Sequence, residues 1–240
     1  MGDGIAFVAR NLDNLLIGFP GQRPGGLVMS LMLAGFGIGV GFLLAVALAV
    51  AATSARSLPR LVARTYVRVV RGVPLLLLLL LVHQVLGTGS WGFTTTSLQS
   101  ALITLVLYAS AYQADILESG LRSVPVQLVD DARLLGARPT QVAIDVRVPY
   151  AVRVTRPALL TQAITVFKDS SVVVVLGVAD LTTTARIALG SDVSNAPHWV
   201  AVYLAVGALY FAVAFGLSRV VNIYERSAGG HGRGAVHELT

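Results

Sequence analysis

Charged and polar side chains are concentrated in one part of this otherwise apolar sequence, residues 123–149 (SVPVQLVDDARLLGARPTQVAIDVRVP). Two adjacent carboxylates, Asp130 and Asp131, are followed by the guanidinium of Arg133. These groups can form ion pairs and hydrogen bonds with another molecule, but no nucleophile stands beside a general base. We therefore interpret the segment as a docking surface rather than as a catalytic site.

Patterns typical of catalysis are also missing from the rest of the sequence. The four histidines, at positions 83, 198, 231 and 237, are scattered. There is no Gly-x-x-x-x-Gly-Lys-Ser/Thr phosphate loop, so any ATP chemistry would have to take place on another chain. The absence of cysteine excludes disulfides, thiolate metal sites and cysteine nucleophiles. We expect a protein that is not an enzyme and that holds no metal or cofactor of its own.

Composition places the polar segment in a membrane protein. Of the 240 residues 55% are hydrophobic and only 12% are charged, with a mean hydropathy of +0.75, whereas an ordinary soluble domain has about 25% charged residues. This length is sufficient for one membrane domain of about five or six helices. The net charge of +6 does not indicate nucleic-acid binding, because the arginines are spread over loops instead of covering one soluble face.

Five apolar segments predict an all-α integral membrane protein with five transmembrane helices. The second helix is expected to begin at about residue 66 and to bend at Pro74, and the fourth has a polar interruption at residues 168–171. The spans are residues 27–53, 73–86, 98–116, 151–176 and 199–221. In the first span, small residues four apart would allow another helix to approach its backbone closely, namely Gly35, Gly37, Gly39 and Gly41.

Between the third and fourth spans, residues 121–149 are predicted to form a hairpin of two short helices. Pro125 suits the start of the first helix and Gly136 its end, since glycine accepts the positive φ of a tight turn. The second helix would run from residue 139 to 147 and stop at Pro149. Near the start of the first helix, Asp130 would complement the helix dipole or accept backbone amides. An apolar stripe at helical spacing is formed by Leu121, Leu128, Ala132 and Leu135.

The basic residues of the loops give the chain an orientation. The second connection, residues 87–97, has no Lys or Arg, and the fourth, residues 177–198, has only Arg186. By the positive-inside rule, the arginine-rich first and third connections face the cytoplasm. Their arginines are Arg56, Arg60 and Arg64 in the first, and Arg122, Arg133, Arg138, Arg147, Arg153 and Arg156 in the third.

This orientation predicts a multi-pass protein of the bacterial plasma membrane, with its N-terminus outside and its C-terminus in the cytoplasm. Residues 1–26 would form an extracytoplasmic segment, residues 27–222 the membrane domain and residues 223–240 a flexible cytoplasmic tail. Trp91 and Trp199 suit anchors at the outer interface of the bilayer.

The spacing within the cytoplasmic loop resembles that of a known family. Residues 130–132 (Asp-Asp-Ala), Gly136 and residues 146–149 (Val-Arg-Val-Pro) are separated by three and nine residues. They resemble the EAA loop of ABC-importer permease subunits, which is Glu-Ala-Ala, three residues, Gly, nine residues and Ile-x-Leu-Pro. The final alanine of the triplet, the glycine and the proline are kept. The main departure is Asp131, which adds a second carboxylate where the family usually has alanine.

Four further motifs resemble the polar amino acid branch of this family, whose members import histidine, glutamate, glutamine or arginine. Residues 71–75 (Arg-Gly-Val-Pro-Leu) look like its Arg-Gly-Thr-Pro-Leu, and residues 123–125 (Ser-Val-Pro) also fit. Residues 168–171 (Lys-Asp-Ser-Ser) and 177–182 (Gly-Val-Ala-Asp-Leu-Thr) are similar to its Lys-Asp-Thr-Ser and Gly-Val-Ala-Glu-Leu-Thr segments. The resemblance covers the middle of the chain, residues 66–186.

The resemblance implies the permease subunit of an ABC importer for a polar amino acid. Its implied partners are cytoplasmic ATPase subunits that bind ATP and Mg, a second permease subunit, identical or homologous, and an external substrate-binding protein. The hairpin would dock onto the ATPase, so that closure of the ATPase dimer moves the membrane helices. The coupling residues implied are Asp130, Asp131, Ala132, Arg133, Gly136 and Pro149.

Polar residues within the spans are candidates for the translocation pathway, because an unpaired charge in lipid is costly. His83 and Gln84 interrupt the second span and would face either the pathway or the membrane interface. In the fourth span lie Lys168, Asp169 and Ser170, and we favour an ion pair between the first two over direct contact with substrate. Near the inner end of the third span, two further carboxylates are expected to be solvated or paired with loop arginines, Asp115 and Glu118.

Two other classes of protein remain open on the residues alone. One is a secondary transporter of small polar solutes, although five helices without an evident inverted repeat fit it poorly. The other is a non-transporting membrane scaffold or small channel, whose intramembrane polar residues would be structural. The identity of the amino acid, and whether the permease pairs with itself or with a related chain, are also left open by the sequence.

Overall fold

The chain folds into a bundle of helices, and the computed structural model describes residues 2–19, 24–87 and 94–229. Within these ranges a π-helix, Val142–Arg147, joins α8 to α9, and two 3-10 segments, Ser170–Leu176 and Val193–His198, flank α10. The α-helices are α1 (Gly2–Arg10), α2 (Leu12–Ile17), α3 (Gly26–Ala52), α4 (Ser57–Gly72), α5 (Leu75–Gly87), α6 (Ser97–Arg122), α7 (Val126–Leu134), α8 (Pro139–Gln141), α9 (Val148–Asp169), α10 (Leu181–Gly190) and α11 (Trp199–Gly229).

Four unbroken helical segments of the described chain are long and apolar enough to cross a membrane. They are α3, α6, the continuous run Pro139–Leu176 and the segment Ser194–Val221, and the bent pair α4 and α5 supplies a fifth span if it is counted as one. The prediction of an all-α membrane protein with five spans and a hairpin between the third and the fourth is therefore confirmed.

The second span is not the single bent helix that the sequence predicted. α4 ends at Gly72, α5 begins at Leu75, and the two axes differ in direction by 110°. Val73 between them is extended, with φ −101° and ψ 129°. The ring of Pro74 disfavours a helical conformation of the residue before it, which is the local cause of the break. The bend at Pro74 is confirmed, but α4 does not extend α5 towards the surface along the same axis.

At Pro149 the sequence predicted that the helix ends, and this prediction was wrong, because the helix continues through the proline. In the preceding π-helix the N–H of Val148 donates to the carbonyl of Ala143, one residue farther back than in an α-helix. Pro149, which has no N–H, then lies in the first turn of α9, directly after the wider π turn. The hairpin consequently continues into the fourth span as one helical run of 38 residues.

The bundle is built around the contact between α3 and α6. A Cβ atom on Gly37 would lie 3.0 Å from the Cβ of Leu105, and one on Gly41 would lie 3.0 Å from the Cβ of Ala109. By contrast, no other described atom lies within 4 Å of a Cβ placed on the glycines at positions 35 and 39. The predicted close approach is confirmed for Gly37 and Gly41. For Gly35 and Gly39 it stays a prediction, because glycines two residues apart point to different faces of a helix and these two face away from α6.

α6 also packs closely on α9 at a glycine that the sequence analysis did not single out. A Cβ on Gly120 would lie 2.7 Å from Cγ2 of Thr155 and 3.0 Å from the carbonyl oxygen of Ala151. The surrounding side chains form a buried cluster at the hairpin end of the bundle, made of Ala45, Ala49, Val67, Ala114, Leu117, Leu121 and Ala151.

At the opposite end of the bundle, the predicted N-terminal segment and the fourth connection contain helices. α1 and α2 place Phe7 and Leu15 in a buried cluster with Leu181 of α10 and Val202 of α11. Trp199 begins α11 at this end and is exposed. The other predicted anchor, Trp91, lies outside the described residues, as do residues 230–240 of the predicted tail.

We expect Gly41→Leu to destabilise the protein, because the new side chain would meet Ala109 and the backbone of Ser110 at the α3–α6 contact. Overpacking of this kind typically costs about 1–3 kcal/mol. Thermal unfolding of the purified chain in detergent measures the effect, and Gly39→Leu is the matched control because its Cβ meets no described atom within 4 Å. Equal unfolding temperatures for the two variants would contradict the packing described.

Candidate functional site

The turn of the hairpin has the geometry that its glycine predicts. Gly136 has φ 83° and donates its N–H to the carbonyl of Arg133 at 2.9 Å. The next N–H, of Ala137, donates to the carbonyl of Ala132 at 3.0 Å. This pair of bonds is a Schellman motif, which satisfies the last carbonyls of α7 and requires positive φ at its centre. The expected tight turn at Gly136 is confirmed.

Asp130 does not cap the first hairpin helix, as had been predicted. α7 begins at Val126, so Asp130 is its fifth residue and lies beyond the free backbone amides of the first turn. Its carboxylate instead pairs with Arg133 at 3.4 Å, and both side chains are largely exposed. Neighbouring Asp131 is also exposed. The charges of α7 are therefore directed at water and are available to a partner.

The hairpin exposes apolar side chains as well. Leu134 and Leu135 are 86% and 89% exposed, and Val126, Leu128 and Ile144 are exposed too. The predicted stripe is only partly formed, because Leu121 belongs to α6 and is buried there rather than lying on the same helix as the other members. An exposed apolar cluster on a small polar hairpin is typical of a surface that another protein covers.

Beside the hairpin, a cavity of about 660 Å³ opens between α4, α6 and α9. Its walls are strongly charged, with an excess of guanidinium groups over carboxylates, and Val154 and Thr155 of α9 contribute a less polar side. The charged lining consists of Arg64, Arg68, Arg71, Arg122, Asp115 and Glu118.

Ion pairs hold the charges of this cavity in place. Glu118, whose side chain is 16% exposed, accepts from Arg64 at 3.2 Å and from Arg122 at 2.7 Å. Asp115 pairs with Arg71 at 2.5 Å, and the guanidinium of Arg71 also lies 5.1 Å from the ring centre of Tyr112. The expectation that these two carboxylates pair with arginines is confirmed. The arrangement leaves a positive cavity, which suits an anionic group such as a carboxylate.

The polar residues of the fourth span do not form the ion pair that we favoured. Asp169 accepts a hydrogen bond from the hydroxyl of Tyr108 at 2.8 Å, and the exposed Lys168 forms no ion pair with any described residue. Ser170 is buried and donates to the carbonyl of Phe167 at 2.7 Å. The Lys168–Asp169 pair was therefore wrong, because the carboxylate turns towards α6.

His83 and Gln84 lie near the C-terminal end of α5, on a different helix from the polar residues of the fourth span. Nδ1 of His83 is 3.1 Å from the hydroxyl of Ser100, near the start of α6, and that hydroxyl is also 2.8 Å from Oγ1 of Thr95. Gln84 is exposed. Tyr108, the partner of Asp169, occurs two turns later in α6, so the predicted pathway residues are not brought into one site. Their role in a pathway stays a prediction.

One buried polar cluster was missed by the sequence analysis. Asp180, which lies in the predicted fourth connection, is fully buried and caps α10 by accepting the N–H groups of Thr183 at 2.8 Å and Thr182 at 3.2 Å. The N–H of Leu181 donates to the hydroxyl of Ser30, which is 3.2 Å from the hydroxyl of Tyr210. An aspartate directly before a helical segment is the signal that could have revealed the cap.

These features together define a class of protein, a multi-pass helical permease with the fold of type I ABC importers. The chain belongs to the family of binding-protein-dependent transport system inner membrane components, which matches residues 27–229. This assignment confirms the family resemblance that the hairpin and its flanking motifs had indicated.

Known relatives are amino acid permeases. The chain is 30% identical over 209 residues to the glutamate/aspartate import permease protein GltK of Escherichia coli O6:H1, covering 84% of this chain and 91% of GltK. It is 27% identical over 207 residues to the inner membrane amino-acid ABC transporter permease protein YhdY of Escherichia coli K12. That match covers 84% of this chain and 55% of YhdY, so the chain spans about half the length of that relative.

Solved structures show the same fold. A chain from the crystal structure of an amino acid ABC transporter with histidines has a TM-score of 0.72 and 31% identity, and the match covers 84% of this chain and 92% of that one. A chain of the MetNI methionine ABC transporter in an inward facing conformation has a TM-score of 0.61 and 24% identity, covering 82% and 91%. The second likeness concerns the fold alone.

We expect Glu118→Gln to lower stability by about 1–3 kcal/mol, because it removes the shared partner of two guanidinium groups in a cavity that already has excess positive charge. Thermal unfolding in detergent measures the loss. Asp130→Asn is the control, since it removes an exposed pair with Arg133 that is worth about 0–1 kcal/mol. If both variants shifted the unfolding temperature equally, Glu118 would not organise the cavity.

Proposed function

We propose that the chain is the membrane subunit through which a polar amino acid enters the cell, driven by a separate ABC ATPase subunit. Its family and the amino acid permeases among its relatives support this proposal. In this proposal ATP and Mg bind to the partner ATPase, in agreement with a sequence that has no phosphate-loop motif. An excess of guanidinium groups in the 660 Å³ cavity suits the carboxylate of an amino acid on its way through the membrane.

The observation that carries the proposal is the exposed apolar surface of the hairpin. Leu134 and Leu135 end α7 with almost their whole side chains exposed, next to the charges of Asp130 and Arg133. Burial of leucines like these in a groove of another protein is favourable by about 1.5–3 kcal/mol each. The geometry therefore favours docking of the hairpin, including Asp131, Ala132, Gly136 and Pro149, onto the ATPase.

Coupling follows from the continuity of the hairpin with a membrane helix. The run Pro139–Leu176 begins directly after the Gly136 turn that ends the docking helix, and it continues as helix into the fourth span. When the ATPase dimer closes on ATP, the groove that holds α7 moves, and the Gly136 turn passes this displacement to the helical run that contains α9. α9 in turn forms one wall of the charged cavity through Val154 and Thr155, so the motion reaches the pathway directly.

The arginine-rich end of the bundle is assigned to the cytoplasm by the positive-inside rule. α1 and α2 pack against α10 and the start of α11, at the end away from the hairpin, which supports an N-terminus outside the cell. The C-terminus, and with it residues 223–240, is then cytoplasmic. The outer end would receive substrate from an external binding protein, and a second permease subunit, identical or homologous, would complete the pathway.

Purified chain alone is expected to hydrolyse no ATP and to show no uptake of amino acids driven by a proton or sodium gradient. Proteoliposomes with the chain, its ATPase and its external binding protein should take up the amino acid only when ATP is supplied. Gradient-driven uptake by the chain alone would show that it is a secondary transporter. No uptake in either preparation would favour a membrane scaffold.

We expect the double substitution Leu134→Glu and Leu135→Glu to reduce co-purification of the ATPase by more than about tenfold, because two carboxylates cannot enter an apolar groove without a large desolvation cost. Its own unfolding temperature should be unchanged, since both side chains are exposed. Thr140→Glu is the matched control, because it adds a carboxylate at an exposed polar position of the same hairpin. Retention of the ATPase by the double variant would exclude the hairpin as the docking surface.

A further inference from the structure

A second, smaller cavity of about 230 Å³ lies at the hairpin end of the bundle and is lined by four arginines. Arg60 and Arg64 come from α4, Arg122 from the end of α6 and Arg147 from the π-helix at the base of the hairpin. The hydroxyl groups of Thr53 and Ser54, directly after α3, complete its polar lining. Among the described residues, no Asp or Glu lines this cavity.

The four guanidinium groups are incompletely neutralised. One carboxylate, that of Glu118, serves both Arg64 and Arg122. Arg60 and Arg147 form no ion pair with any residue of the described chain. Like charges gathered in one partly buried cavity repel unless an anion lies between them. A phosphate group fits this requirement best, because its oxygens accept bidentate hydrogen bonds from several guanidinium groups at once.

The helix that supplies two of these arginines has the pattern of a helix lying on a membrane surface. One face of α4 packs on the bundle through Ala63, Val67 and Val70. A second face carries apolar side chains that are 59–69% exposed, namely Leu58, Leu61, Val62 and Val69. A third face, beside the second, carries the four arginines at helical spacing, Arg60, Arg64, Arg68 and Arg71.

The direction of α4 matches this pattern. It is turned by 110° from α5, which contacts α6 through His83 and Ser100. If α5 is the half of this bent pair that enters the membrane, α4 lies across the bundle and close to the plane of the bilayer surface. A helix in this position buries its exposed apolar face among acyl chains and keeps its cationic face at the level of the headgroups. The 230 Å³ cavity lies beside the N-terminal half of α4, whose Arg60 and Arg64 line it.

We propose that this cavity binds the phosphate group of an anionic phospholipid from the leaflet on the hairpin side. Such a lipid fits both the cationic cavity and the exposed apolar face of α4. Its phosphate contacts the four arginines, and its acyl chains cover Leu58, Leu61 and Val62. A free phosphate ion would leave the apolar face uncovered. Since Arg147 belongs to the base of the hairpin, the bound lipid also links the docking hairpin to α4.

The test is binding of phosphatidylglycerol to the full chain in a neutral detergent. Binding is measured by the rise in unfolding temperature and by native mass spectrometry. Phosphatidylcholine with the same acyl chains is the zwitterionic control. We expect the anionic lipid to bind more tightly, with an affinity that falls as salt is raised. The double variant Arg60→Gln and Arg147→Gln should weaken its binding roughly 25-fold, at a factor of about five for each arginine near the headgroups.

Two matched variants separate this site from general surface charge. Arg153→Gln with Arg156→Gln removes the same charge from exposed positions that line neither cavity, and it should change the affinity less than threefold. Arg60→Lys with Arg147→Lys keeps the charge and should retain most of the binding. The glutamine pair should unfold at the same temperature as the parent chain or higher without lipid, because two repelling charges are gone.

Several results would overturn the proposal. Equal binding of the two lipids, or equal losses in the Arg60/Arg147 and Arg153/Arg156 glutamine pairs, would show that no specific site exists. Displacement of the lipid by millimolar inorganic phosphate would identify a site for a free anion. Loss of the lipid preference when the ATPase is bound would show that an acidic group of a partner protein is the occupant. If the Arg60/Arg147 glutamine pair failed to fold, the parent chain alone would test the site. Tighter binding of phosphatidylglycerol than of phosphatidylcholine, weakened by salt, would support the proposal, and equal binding would overturn it.

Discussion

The close approach of α3 to α6 at Gly37 and Gly41 is the contact on which the rest of the structure depends. It draws two helix backbones together where no side chain stands between them, and helix association inside a membrane relies on such packing because apolar burial gives little driving force there. α6 is then surrounded by the other helices. Its start meets α5 through Ser100, its middle meets α9 through Tyr108, and its end is pressed onto α9 at Gly120.

Ion pairs extend this arrangement to the functional end. Arg64 and Arg71 reach from α4 to carboxylates on α6, and through them an amphipathic surface helix is fixed to a buried one. The same pairs shape the charged cavity, so the residues that position α4 are also those that give the cavity its charge. The attachment of α4 and the charge of the cavity thus depend on one set of side chains.

The sequence predicted the spans and the hairpin, because hydropathy and the positions of glycine and proline act over short distances. It did not predict what each proline does. Val73 before Pro74 is extended and the chain turns sharply, whereas Val148 before Pro149 stays helical because a π-helix absorbs the missing bond. The same residue type thus ends one helix and starts another, and the difference lies in the backbone on its N-terminal side.

Charges in the spans were harder to predict than the spans themselves. Asp115 and Glu118 pair with arginines, as the sequence predicted. Asp169, however, accepts a hydrogen bond from Tyr108 on a neighbouring helix and does not pair with Lys168, the residue before it. Asp180 is a loop charge in sequence and a buried helix cap in the fold. Such choices depend on which helix lies opposite, and a single sequence does not contain that information in any local pattern.

The π-helix between the hairpin and α9 also determines how the hairpin is rotated about the helix axis relative to α9. A turn that closes on the carbonyl five residues back holds one residue more than a turn of α-helix, and returning it to α-helical bonding would rotate everything on one side by about 100° and advance it by about 1.5 Å. The segment Val142–Arg147 is thus a place where the helical register can change without breaking the chain. In the proposed coupling, a displacement of the hairpin would therefore rotate α9 as well as shift it along its axis.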